Sequence, residues 1–157
     1  MKWNQIFAQL KKNIKITKEH IPTATQLFTP EWIVRYLVVN SLGRIYISHE
    51  LTRHPKPLTE SDRLLLEQQL ASNMGWRYYL PEAEQSLEAR RQLSAVDAKS
   101  FDVTALKMID PCMGSGHILS YAFDVLMQIY KACGWSERNA ARSILENNLY
   151  GLDIDDR

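Results

Sequence analysis

The sequence predicts a predominantly helical α/β chain with one short parallel sheet, and three observations carry that expectation. The first is Met108-Ile109-Asp110-Pro111-Cys112-Met113-Gly114-Ser115-Gly116-His117, an apolar run that ends in an acid, passes a glycine-bearing turn and enters a helix. The second is Leu149-Tyr150-Gly151-Leu152-Asp153-Ile154-Asp155, another apolar run ending in acids. The third is that nearly every other apolar stretch recurs at helical spacing. Two strands joined through helices in one sheet run parallel with a right-handed crossover. That topology sets Asp153 near Gly114–Gly116 at the carboxyl edge of the sheet.

Composition bounds the possibilities. The chain has 157 residues, 45% apolar and 24% charged, enough for about one domain with a real core. A net charge of +1 demands neither nucleic acid nor membrane as a partner. Its two cysteines, Cys112 and Cys133, form no CxxC pair and no His–Cys cluster at metal spacing. The expectation is a reducing, cytoplasmic setting without structural metal. No stretch approaches about eighteen uncharged apolar residues, and Asn4, Gln5 and Gln9 stand where a signal peptide needs an apolar core. Neither secretion nor a membrane span is expected.

Taken in order, Trp3, Ile6, Phe7 and Leu10 predict an amphipathic helix within Met1 to His20, followed by Lys11, Lys12, Lys15 and Lys18. Such a lysine run reads first as a solvated face and second as a phosphate contact. In Gln26-Leu27-Phe28-Thr29-Pro30-Glu31-Trp32, Thr29 suits an N-cap and Pro30 the first helical position, while Glu31 falls in the first turn, where the dipole favours an anion. The body from Trp32 to Val39 is apolar nearly all round, so an enclosed helix is expected to about Gly43. His49 to Leu58, with Pro55 and Pro57, reads as a loop carrying two surface histidines, His49 and His54. Thr59-Glu60-Ser61-Asp62 caps a helix bearing Leu64, Leu65, Leu66 and Leu70, and another helix is expected from Pro81 through Leu87 to about Leu93. The aromatic and arginine cluster between them, Trp76-Arg77-Tyr78-Tyr79, reads first as packing and second as a base-stacking surface.

The core strand is expected to bury Leu106, Met108 and Ile109. Gly114 and Gly116 lack the Cβ atoms that would stop the backbone closing around a ligand. From His117, Ile118, Leu119, Ala122, Phe123, Leu126, Ile129 and Tyr130 predict a helix of about four turns. Gly134 stops it, and Ser136 caps a shorter helix with Ala140, Ala141, Ile144 and Leu145 inward.

A strand, a glycine turn and a helix start place backbone N–H groups where polar or anionic parts of a nucleotide-like ligand bind. By itself, such a turn is also a plain tight connection. A phosphate-gripping loop needs Lys and then Ser or Thr after its second glycine, but His117 and Ile118 follow Gly116. The dinucleotide fingerprint is weakened too, because Leu119 stands where its third small residue belongs. An acid at Asp153 can accept hydrogen bonds from both hydroxyls of a ribose, since a carboxylate offers two acceptor oxygens. The alternative is that Asp153, Asp155 and Asp156 are a solvated strand end.

Three stretches, Phe28-Thr29-Pro30, Asp110-Pro111-Cys112-Met113-Gly114-Ser115-Gly116-His117 and Tyr150-Gly151-Leu152-Asp153-Ile154-Asp155, resemble the N-terminal part of N6-adenine-specific DNA methyltransferases. The wording around them is similar to the large methylases of type IIG restriction and PglX-like (BREX) phage-defence systems. The resemblance implies a helical region over 1–100 and the truncated start of a Rossmann-like S-adenosylmethionine-binding domain over 101–157. It also implies a cofactor set. Phe28, Thr29 and Pro30 would cover the methionine end, Asp110, Pro111, Cys112, Gly114, Ser115 and Gly116 would face the methionine part, Asp153 the ribose and Ile154 the adenine.

Those enzymes carry a catalytic Asn-Pro-Pro-Tyr or Phe motif, and no Pro-Pro pair occurs here. No catalytic or metal-binding residue is therefore expected in this stretch. It reads as a cofactor-binding fragment that is inactive alone, part of an enzyme whose DNA contacts lie in a missing C-terminal part. Restriction or defence subunits, or a second copy meeting uncovered surfaces, are the further partners implied. The alternative is a non-enzymatic helical scaffold or DNA-binding module with a relic cofactor site.

Overall fold

The computed structural model describes residues 29–83, 85–86, 88–89, 91–92 and 101–153. The predicted helix within Met1 to His20, together with Phe28, Ile154, Asp155 and Asp156, lies outside the described residues. Contacts divide the chain into Met1–Pro30, of which Thr29 and Pro30 are described and exposed, and Glu31–Arg157.

The second unit runs α1 (Glu31–Val38), a π-helical turn (Val39–Gly43), α2 (Arg44–Thr52), α3 (Glu60–Asn73), a 3-10 turn (Val103–Ala105) and β1 (Met108–Asp110). It continues with α4 (His117–Ala132), α5 (Glu137–Ser143), a second π-helical turn (Ile144–Asn148) and β2 (Leu149–Gly151). The described sheet has two parallel strands, with Met108 opposite Leu149, Ile109 opposite Tyr150 and Asp110 opposite Gly151.

α4 is the central helix. Its apolar face buries Ala122, Val125, Leu126, Ile129 and Tyr130 and packs on α1, α5 and β2. Val38, Val39, Leu42, Tyr46, Ile47 and Trp76 complete one apolar core with it. Burying a side chain the size of Leu126 or Ile129 stabilises by about 1.5–3 kcal/mol relative to leaving it in water. Gly134, at φ +85°, ends the helix in the left-handed region that glycine tolerates, and the Trp135 N–H closes back on the Tyr130 carbonyl. The Ser136 hydroxyl then accepts from the Asn139 N–H, and Thr59 caps α3 by accepting from the Asp62 N–H.

Several expectations are corrected. The helix from Glu31 does not stop near Gly43: its π-helical turn leads straight into α2, so His49–Thr52 are helical and the loop starts at Arg53. Nor is α1 enclosed. Val34 and Val38 are buried, while Trp32 is 55% and Leu37 46% exposed, because among the described elements α4 packs on one face of the helix. In α3 the buried residues are Glu67 and Ala71, whereas Leu64 and Leu65 are exposed. The helix expected from Pro81 starts later: Pro81–Ala83 and residues 85–86 are non-helical while residues 88–89 and 91–92 are helical, and the Leu80 N–H and carbonyl are held by Asn40 Oδ1 and the Arg44 guanidinium. His49 is half-buried and stacks on Phe101 at 4.6 Å between ring centroids.

Ile109 is 59% exposed although it lies mid-strand. It points with its cross-strand partner Tyr150 to the face opposite α4, which no described element covers. Leu145 is also exposed, while Ala140 and Ile144 on the other side of the same stretch are fully buried. Trp76 and Tyr79 are buried, so that cluster packs rather than presenting stacked rings to solvent.

Candidate functional site: the glycine turn and the end of the second strand

β1 delivers Asp110 to the carboxyl edge of the sheet, where its side chain is buried and Oδ1 accepts from the Cys112 N–H at 3.1 Å. The bond folds the chain sharply back after Pro111. Gly114 and Gly116 follow at φ +51° and +77°, conformations that a side chain would strain, and a Cβ built on either meets nothing within 4 Å. Their bare faces border open space. The Gly116 N–H closes on the Met113 carbonyl at 2.7 Å, and Gly116 stands as the left-handed residue before the first turn of α4.

The end of β2 meets this turn directly. The Leu152 N–H donates to the Asp110 carbonyl at 2.9 Å, and the Met113 N–H donates to the Leu152 carbonyl at 2.9 Å. One residue on, the Gly114 N–H donates to Asp153 Oδ2 at 2.6 Å. Met113 and Gly114 therefore do not offer unpaired N–H groups, as a strand, turn and helix alone would suggest. The parallel partner strand runs two residues past its ladder and satisfies them.

Of the cofactor residues expected from sequence, Asp110, Pro111, Cys112, Gly114, Ser115, Gly116 and Asp153 are gathered at one edge of the sheet. Pro111, Cys112, Ser115 and Asp153 are exposed there. Thr29 and Pro30 belong to the other unit. Arg35 of α1 lies over the Tyr121 ring of α4 at 5.2 Å and holds Glu31 at 2.6 Å. Burial raises the Tyr121 hydroxyl above its usual range, and Arg35 opposes that shift.

Two residues escaped the sequence reading. The Met113 side chain lies against Gly151, where an added Cβ would overlap its sulfur and stand 2.8 Å from Leu119 Cδ1. The signal for it is a glycine inside a strand, which marks a close approach. Asn148, 1% exposed, donates to the Val103 carbonyl at 2.7 Å and the Leu106 carbonyl at 2.8 Å, and accepts from the Tyr130 hydroxyl at 2.8 Å. It ties the approach to β1 to the start of β2 and so fixes their register.

A separate open groove of about 890 Å³ includes Tyr36, Asn40, Arg44 and Leu80 in its lining and takes no residue from the turn or β2. Its Asn40 amide is spent on the Tyr36 and Tyr78 carbonyls and the Leu80 N–H, which marks it as a joint between elements. Among the described residues no cluster of His, Cys, Asp and Glu could hold a metal ion, and no helix is long and apolar enough to cross a membrane.

No protein-family model matches the chain. It is 45% identical over 146 residues, 93% of its length, to the adenine-specific methyltransferase PglX of Lacticaseibacillus casei (strain Zhang). It is 42% identical over 157 residues, 98% of its length, to the adenine-specific methyltransferase BrxX of Escherichia coli O9:H4 (strain HS). The chain spans 11% and 12% of these relatives. Over nearly its whole length it is thus homologous to a small piece of adenine-specific methyltransferases.

Proposed function

We propose that this chain, homologous to a piece of adenine-specific methyltransferases, is the S-adenosylmethionine-binding part of a cytoplasmic DNA adenine-N6 methyltransferase of a restriction or phage-defence system. The observation that carries the proposal is the meeting of Asp153 with the glycine turn at the carboxyl edge of two parallel strands, 2.6 Å from the Gly114 N–H. In this reading residues 101–157 begin a Rossmann-like domain, and the helical region over 1–100 carries the Phe28-Thr29-Pro30 motif proposed for the cofactor.

The residues suit the cofactor. Asp153 brings a carboxylate to the strand end where it would meet ribose hydroxyls, and the open faces of Gly114 and Gly116 leave room beside Asp110, Pro111, Cys112 and Ser115. Ile154 would meet the adenine. When bound, S-adenosylmethionine supplies a methyl group on a sulfonium. This chain's own residues hold and orient that donor. Transfer to adenine N6 also needs the target base turned out of the duplex and gripped. The Asn-Pro-Pro motif that does so in this class is absent, since no Pro-Pro pair occurs here. The remaining substrate and partner contacts, DNA above all, belong to other parts of the assembled enzyme.

Titration calorimetry of the 157-residue chain with S-adenosylhomocysteine tests the proposal. One-site saturable binding is expected, at micromolar to submillimolar strength. The absence of binding at millimolar ligand would favour the scaffold instead.

A further inference from the structure

Gly151 is the last residue of β2, and its missing side chain is used. A Cβ there would overlap Met113 Sδ and approach Leu119 Cδ1 at 2.8 Å, while Met113 Cγ would stand at 3.4 Å. Gly151 does not take the left-handed backbone, so what opposes a larger residue there is steric: the Met113 and Leu119 side chains would have to give way. Met113 is also the residue whose N–H is bonded to the Leu152 carbonyl and whose carbonyl accepts from the Gly116 N–H. Its neighbour Gly114 carries the bond to Asp153. One side chain thus sits in a notch of β2, while its own backbone links the strand end to both glycines of the turn.

We propose that Met113 is a positioning residue: its thioether is a peg seated on Gly151, and that seat holds the turn where Gly114 can orient the Asp153 carboxylate. The role of Asp153 toward a ribose rests on the function proposed above; the peg itself does not. An unbranched, polarisable side chain suits an irregular notch beside a strand. An alanine at Gly151 must push the thioether out of its notch, and with the peg unseated the turn it holds is expected to shift. Asp153 would then lose its donor without being touched.

A double-substitution cycle on the 157-residue chain tests this, comparing Gly151→Ala, Met113→Ala and both together. Hydrogen exchange at the Gly114 and Met113 amides reports the turn without any ligand, and exchange at Leu126 and Ile129 reports the core. Each single change is expected to speed turn exchange by about tenfold while leaving the core amides protected, because local opening and global unfolding are separate events. The cost of Gly151→Ala should shrink in the Met113→Ala background, where no thioether remains to be displaced and only the Leu119 contact is left. Affinity for S-adenosylhomocysteine should follow the same pattern. If Gly151→Ala costs the same in both backgrounds, or the core amides lose protection equally, the peg is refuted. A chain that shows the exchange pattern but binds no S-adenosylhomocysteine would keep the peg and overturn the proposed function.

Discussion

Replacing Asn148 with alanine removes three hydrogen bonds from a side chain that is 1% exposed: two donated to the Val103 and Leu106 carbonyls and one accepted from the Tyr130 hydroxyl. The Tyr130 hydroxyl retains Ser143 Oγ at 2.8 Å, so that arm costs least. The two carbonyls lose the Asn148 amide as a donor. At about 1 kcal/mol net per bond, and more where a buried group is left unpaired, the loss comes to about 3 kcal/mol. Domains of this size hold about 5–15 kcal/mol, so the change is a large fraction of the total. Urea denaturation should show the midpoint falling with the slope unchanged. Tyr130→Phe, which removes one partner of the same network, should cost about 1 kcal/mol. A loss below about 1 kcal/mol for Asn148→Ala would refute the argument that this side chain fixes strand register.

Gly43→Ala should destabilise by about 1–3 kcal/mol, measured as a drop in thermal midpoint, because the new Cβ would stand 2.8 Å from Cζ3 of Trp76. That ring is 3% exposed and its indole N–H is anchored on Gln128 Oε1 at 2.7 Å, so it cannot swing aside. Burial and then Glu50 push the Tyr46 hydroxyl from 10.0 up to about 12, and burial followed by the hydrogen bond to Glu67 raises Tyr79 further. Both folded values lie above the unfolded one. Their contribution is therefore whole below pH 10.0 and is lost as pH rises through the folded values, so the unfolding midpoint should fall from about pH 10 upward. Tyr79→Phe should flatten that fall, and an unchanged slope would contradict it. The chain alone should transfer no methyl group to unmethylated duplex, and tritium incorporation that Asp110→Ala abolishes would overturn this expectation.

The helices, caps and turn were legible because each rests on local chemistry. Thr59 and Ser136 announce helix starts, Gly134 a stop, and the 3.6-residue period of α4 its buried face. The two parallel strands followed from apolar runs separated by helices. What could not be read is which apolar faces find a partner layer. Ile109, Leu145 and Leu37 have the pattern of core residues and are exposed, because periodicity describes a face and not what covers it. The meeting of Asp153 with the glycine turn at the strand ends was legible, since two parallel strands joined through helices bring their carboxyl ends together. Met113 was not, because its role depends on the absence of a side chain at Gly151, a contact across the sheet edge that no local pattern encodes. Asn148 was hidden for the same reason: its three partners lie 18 to 45 residues away in sequence.

The central claim is that the strand ends form a cofactor site with Asp153 as its ribose acceptor, and relative affinity tests it most directly. Calorimetric titration of S-adenosylhomocysteine into the unsubstituted chain, Asp153→Ala and Asp155→Ala compares one acid bonded to the Gly114 N–H with another two residues on. The account predicts a loss of at least about tenfold for Asp153→Ala, the scale of one charge-assisted bond, and little change for Asp155→Ala. Equal losses for both would reduce Asp153 to general electrostatics and contradict the claim.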